Sequence, residues 1–137
     1  MGYDLSEKQP EREFQKGQDC LRAAQKNFEI AELETAINRA YYAVFHAARS
    51  CLWLGECYPK THAGVHRKFS QLYVKGDNIF SKEIYSILDE LEDERILVDY
   101  AIPEEYDQTV VKTIVKRAEK FISEVNTQLG KKLNSQT

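Results

Sequence analysis

The segment Asn38-Arg39-Ala40-Tyr41-Tyr42-Ala43-Val44-Phe45-His46-Ala47-Ala48-Arg49 constrains this chain more than any other. At about 100° per residue it is a helix with two unlike faces. Ala36, Ala40, Ala43 and Ala47 share one narrow stripe, so another helix can approach closely there. Thr35, Arg39, Tyr42, His46 and Arg49 share another, crowding two guanidinium groups, an imidazole and a phenol. A solvated face would mix Lys and Glu, and a core face would carry Leu and Ile. This face suits an anionic or aromatic ligand, or a partner subunit.

A chain of 137 residues fits one domain, residues 1–137, able to bury a core without metal or disulfide help. Only 6 Gly and 3 Pro interrupt it, which favours helices over a turn-rich β fold. The formal net charge of -3 argues against broad, charge-driven nucleic-acid binding but leaves room for a local basic pocket. No apolar run approaches the roughly 20 residues that span a bilayer, and the N-terminus has no apolar leader. The expectation is a cytoplasmic protein with no membrane contact. Cys20, Cys51 and Cys57 are odd in number and lack metal-site spacing with histidine, so free thiols are expected.

Five helices are predicted. The first runs from about Glu7 to Asn27, with Phe14, Cys20, Leu21, Ala24 and Phe28 as core contacts. The second runs from about Ile30 to Leu54, where Gly55 stops it. Thr61 caps the third, which carries Val65, Phe69, Leu72 and Tyr73 and closes at Gly76. Ser81 caps the fourth, with Ile84, Ile87, Leu88 and Leu91 on one stripe. Pro103 suits the first position of the fifth, whose stripe runs from Val111 to Leu129. The polar tail 130–137 is expected to fray. Short connections between long helices imply an all-α, up-and-down bundle of four to five antiparallel helices.

Arg95 stands in the middle of the fourth helix's apolar stripe. A guanidinium does not shed its charge, so in a core-facing position it needs carboxylate, carbonyl or ligand partners. One reading is a salt-bridge ladder with Glu92 and Asp99, each one turn away. The other is a charge held in a groove between helices two and four. There it faces Asn38, Arg39, Tyr42 and His46 and is able to hold a phosphate.

The motifs NRAYYAVFHAAR (Asn38–Arg49), KTHAGVHRKF (Lys60–Phe69) and ERILVDYA (Glu94–Ala101), in this order over nearly the whole chain, resemble the HEPN domain family. The likeness is to its small prokaryotic branch with RAYYA-F-HAAR, TH-GV and R-x-x-x-DY motifs. It implies a helical bundle, a homodimer, and a minimal nucleotidyltransferase as partner in a toxin–antitoxin pair. Many such toxins are metal-independent ribonucleases with a composite site at the dimer interface. Their signature is an arginine separated from a histidine by four to six residues. By position the arginine is Arg95, but the histidine positions hold Tyr100, Ala101 and Ile102, and Ile96 replaces the usual polar neighbour. Tyr100, with an ordinary pKa near 10, is a poorer acid or base at neutral pH. His46 substitutes only if the fold brings it to Arg95.

The resemblance thus implies catalytic candidates Arg95, Asp99, Tyr100 and His46. The ligand-binding candidates are Asn38, Arg39, Tyr42 and Arg49. No cofactor is implied. His62 and His66, one turn apart, have a zinc spacing but no evident third ligand, so no metal is expected. Two functions compete. One is a toxin-like protein binding RNA or nucleotide around Arg95, with ribonuclease activity left open by the absent histidine. The other is a non-catalytic dimeric module that recruits a nucleotidyltransferase or its nucleotide.

Overall fold

The computed structural model describes residues 8–100 and 106–134. Among them five α-helices and no strand occur: α1 Pro10–Glu29, α2 Leu33–Leu54, α3 His62–Phe69, α4 Lys82–Val98 and α5 Gln108–Leu133. A π-helical stretch, Ser70–Gly76, prolongs α3. The architecture is the all-α, HEPN-like bundle that the sequence implies. α2 lies at its centre, packed on α1, α5, α4 and α3. No helix among the described residues is long and apolar enough to cross a membrane.

Caps and stripes account for most boundaries. The side chains of Thr61 and Ser81 accept from the N–H groups of Gly64 and Ile84, satisfying donors that a helix start leaves open. The stripes Ile84–Ile87–Leu88–Leu91 on α4 and Val111 to Leu129 on α5 are buried as spaced. Phe69 joins them across the core, its ring centroid 5.3 Å from Phe80 and 5.7 Å from Phe121.

Five boundaries differ from expectation, the first being the start of α1, at Pro10 and not near Glu7. α1 continues to Glu29 and α2 starts at Leu33, because Ala31 takes a left-handed φ of 60° and forms the turn. α5 starts at Gln108, where the Asp107 side chain accepts from Val110 N–H; Pro103 lies outside the described residues. α5 also runs through Leu133, only 1% exposed, so fraying does not set in at Gly130; residues 135–137 lie outside the described residues. Leu72 is 40% exposed, since the wider π turns rotate it outward and bring Tyr73 and Val74 inward.

The alanine stripe of α2 is wholly buried: Ala36, Ala40, Ala43 and Ala47 are all 0% exposed. α1 meets it at Gly17, where an added Cβ would stand 2.9 Å from the Ala43 carbonyl oxygen and 3.3 Å from the Ala47 nitrogen. This close backbone approach fixes how α1 presents its neighbouring side chains to α2.

Candidate functional site

Glu13 sits one turn before Gly17 and is 1% exposed. Its Oε2 accepts from His46 Nδ1 and from Arg49 Nε, both at 2.7 Å. Burial alone pushes the Glu13 carboxyl up, but the bonds from His46 and Arg49 outweigh burial and hold it below its ordinary value. Its other oxygen, Oε1, is buried without a partner. The Arg49 guanidinium also lies 5.0 Å from the ring centroids of Phe45 and Trp53.

Further along α2, Arg39 donates from Nη2 to Asn38 Oδ1 at 2.8 Å and lies 5.3 Å over the Tyr42 ring. The expected polar face therefore divides into two groups. Asn38 holds Arg39, while Glu13, unnoticed in the sequence, holds His46 and Arg49.

A second cluster lies where α2 meets α3 and α4. Tyr41 is 0% exposed, and its hydroxyl stands 3.1 Å from His62 Nδ1 and 3.3 Å from His66 Nε2. Thr61 caps α3 just ahead of both histidines, so the helix start places them one turn apart on either side of this hydroxyl. His66 is 5% exposed; its Nδ1 stands 3.2 Å from Asp89 Oδ1 and its Nε2 3.0 Å from Glu92 Oε2. Burial, and secondly the Glu92 charge, push the Tyr41 hydroxyl well above its usual range. The His62 imidazole packs 4.2 Å from the Phe45 ring. Burial lowers its pKa; the Arg95 charge adds to that effect and Glu92 opposes it.

Arg95 crosses from α4 to this cluster. Its guanidinium lies 5.1 Å from the Tyr41 ring centroid and 5.9 Å from that of Tyr42. Its Nε is buried without a hydrogen-bond partner. Of the two readings of Arg95, the salt-bridge ladder is not formed: Glu92 is engaged by His66, and Asp99 is an exposed C-cap of α4. Because the Arg95 side chain runs toward α2 and not along its own helix, the carboxylate one turn away does not orient it.

Tyr100 is 84% exposed beyond the end of α4. His46 and Arg95 both flank the Tyr42 ring, and the Nδ1 of His46 is committed to Glu13. Arg95 thus lies against Tyr42 and Tyr41, while Asn38 bonds Arg39, His46 and Arg49 bond Glu13, and Asp99 is exposed at the end of α4. The structure adds His62 and His66, which carried a recognisable i, i+4 spacing. Glu13 also had a signal, being a carboxylate in register with the buried positions Gly17, Cys20 and Ala24.

An aromatic pair, one ring buried and one half-buried, roofed by a guanidinium without a carboxylate partner and beside an imidazole, is able to hold a phosphate and to exchange a proton. The comparisons with known proteins agree with the fold that carries it. The family model of the HEPN domain matches residues 11–128. A toxin-named protein of Methanocaldococcus jannaschii is 32% identical over 113 residues, covering 82% of each chain. A second toxin-named protein of that organism is 23% identical over 119 residues, 87% of this chain and 80% of the relative. A UPF0332 protein of Thermotoga maritima is 26% identical over 110 residues, 80% of this chain and 83% of the relative. With helices, motifs and family match in agreement over most of its length, the chain belongs to the HEPN domain family.

Proposed function

We propose that this is a toxin-like HEPN protein that acts in the cytoplasm, binds RNA or nucleotide in the groove around Arg95, and is restrained by a minimal nucleotidyltransferase partner. The observation that carries the reading is Arg95 itself. Its guanidinium lies on Tyr41 and Tyr42 with a buried, unpartnered Nε and no ion pair among the described residues. Such a group has donors to give to a phosphate, and the half-buried Tyr42 ring offers a stacking surface for a base. The resemblance of its relatives to toxins by name supports the same direction.

Within this reading, His62 takes the part of the histidine missing after Arg95. It packs against the same two tyrosines, with centroids 5.9 Å from each, and its Nδ1 is oriented by the Tyr41 hydroxyl. Nε2 is the nitrogen left to exchange a proton with a ribose hydroxyl. Tyr100 and Asp99, exposed at the end of α4, serve the groove only from a second copy across a homodimer interface. Exposed Ile96, Leu97 and Tyr100 supply apolar surface for that homodimer.

The experiment is incubation of purified chain with cellular RNA in the presence of chelator. Cleavage by wild type, lost in Arg95→Ala and in His62→Ala with folding retained, supports a ribonuclease. RNA or nucleotide binding that depends on Arg95, without cleavage, supports the binding function alone. The same exposed α4 surface favours the second reading, a non-catalytic module that recruits the nucleotidyltransferase. Neither cleavage nor Arg95-dependent binding leaves only that module.

A further inference from the structure

The His66 imidazole faces carboxylate oxygens at both nitrogens, Asp89 at Nδ1 and Glu92 at Nε2. A neutral imidazole has one N–H, so one of those oxygens meets a ring lone pair. A divalent cation taken up at the lone-pair nitrogen, like a second ring proton, removes that repulsion, and only the cation also draws both carboxylates to itself. We propose that His66, Asp89 and Glu92 form a divalent-cation site that ties α3 to α4, taking a first-row metal that accepts nitrogen and oxygen ligands.

Asp89 and Glu92 are three residues apart, so α4 presents both on one face, while the Thr61-capped α3 supplies the histidine. One ligand atom from each residue lies within 4.8 Å of the others. Two ligands of one metal, each about 2.1 Å from it, stand at most about 4.2 Å apart, so side-chain rotation completes the set. Glu92, with a side chain 23% exposed, has room to rotate.

In the site the metal takes Nδ1 beside Asp89. Nε2–H then donates to the Tyr41 hydroxyl, a second-layer bond that fixes the ring. Glu92 turns from Nε2 to the metal. All three residues line an open cavity of about 420 Å³ on the α3–α4 side, which leaves water to fill the remaining positions. Exposed Arg67 and Lys75 line it too, and their charges weaken the site without occupying the ligand atoms. The inference does not depend on the function assigned to Arg95.

The test is calorimetric titration of metal-stripped, full-length chain with Mn²⁺ alone, a probe that carboxylates and imidazole accept and buried thiols do not favour. The expected result is saturable binding of one Mn²⁺ per chain. Asp89→Asn and Glu92→Gln each weaken it about ten-fold or more. Glu90→Gln, on the α5 side where Glu90 meets Arg117, leaves it unchanged. Pulsed electron paramagnetic resonance of wild type, which needs no variant to fold, shows coupling to one imidazole nitrogen. No saturable binding, bound Mn²⁺ without nitrogen coupling, or wild-type affinity in both carboxylate variants overturns the site.

Discussion

On the α1 side of α2, Glu13 is 1% exposed and collects hydrogen bonds from His46 and Arg49 on one oxygen. On the α3–α4 side, Arg95 lies over Tyr41 and Tyr42 with no carboxylate of its own. Both are charges inside a helical bundle, and the same central helix serves both. They differ in what meets the charge. In the first cluster, the Arg49 guanidinium and the His46 ring from α2 close on an anion from α1, and the guanidinium and carboxylate charges are matched within the fold. In the second, ring faces meet the cation; each such contact is worth about 0.5–2 kcal/mol and leaves N–H donors unspent. The first arrangement serves stability, and the second leaves capacity for a ligand. Variants at the two sites therefore separate the roles.

The largest effect belongs to Glu13→Ala. It leaves His46 and Arg49 partly buried without their anion, the kind of change that costs about 3–5 kcal/mol. Urea unfolding should show that loss, while nucleotide or RNA affinity per folded molecule stays at the wild-type level. If Glu13→Ala lowers affinity and spares stability, the two regions have been assigned the wrong way round.

Next come the packing variants that hold the first region together. Ala40→Leu forces extra volume into a position 0% exposed and should cost about 1–3 kcal/mol. Gly17→Ala gains about 1 kcal/mol of helix propensity, yet its Cβ meets the Ala43 carbonyl oxygen at 2.9 Å. The clash should win, giving a net loss. Thermal melts that coincide with wild type for Ala40→Leu, or rise for Gly17→Ala, would show that α1 and α2 do not meet at this stripe.

Acid unfolding sharpens the same comparison. The Glu13 carboxyl is held below 4.5, so the folded state binds this proton less readily than the unfolded chain. Its contribution is complete above about pH 4.5 and is lost as pH falls through the folded value. Glu13→Gln removes that proton linkage. Its stability should start lower at neutral pH and decline less than wild type between about pH 5 and pH 3. Parallel declines would mean that other carboxylates govern the acid limb.

Much of the bundle was legible because helical spacing is a property within one segment. The stripes of α4 and α5 and the caps Thr61 and Ser81 needed no knowledge of neighbours. The α1–α2 turn was harder, since Ala31 adopts a left-handed φ that its residue type does not advertise. Leu72 was misplaced because π turns have a different period. At the site, periodicity set Arg95 on the core stripe but could not name what it would touch. Glu92 and Asp99 were the charges one turn from it on nearly the same face of α4, whereas tertiary packing gave Glu92 to His66 and left Asp99 exposed. Likewise His46 and Arg49 look available on α2 until α1 docks and delivers Glu13. Angular relations within a helix are written in the sequence; which helix faces which side chain is decided by packing.

The smallest stability effect, and the most specific, is expected of Arg95→Lys. Lysine keeps the positive charge and a long apolar stem, so the rings of Tyr41 and Tyr42 remain covered. The loss in folding free energy should be about 1 kcal/mol or less, the scale of one cation–ring contact. What lysine lacks is the planar fork of N–H donors that engages two phosphate oxygens together. Affinity for a nucleotide or a short RNA should therefore fall by about ten-fold, equivalent to about 1.4 kcal/mol. Arg95→Ala should fall further, since it removes the charge as well. Fluorescence titrations on equal concentrations of folded protein read both quantities. Wild type, Lys and Ala binding alike would make Arg95 a packing residue of α4 and erase the difference between the two sides of α2.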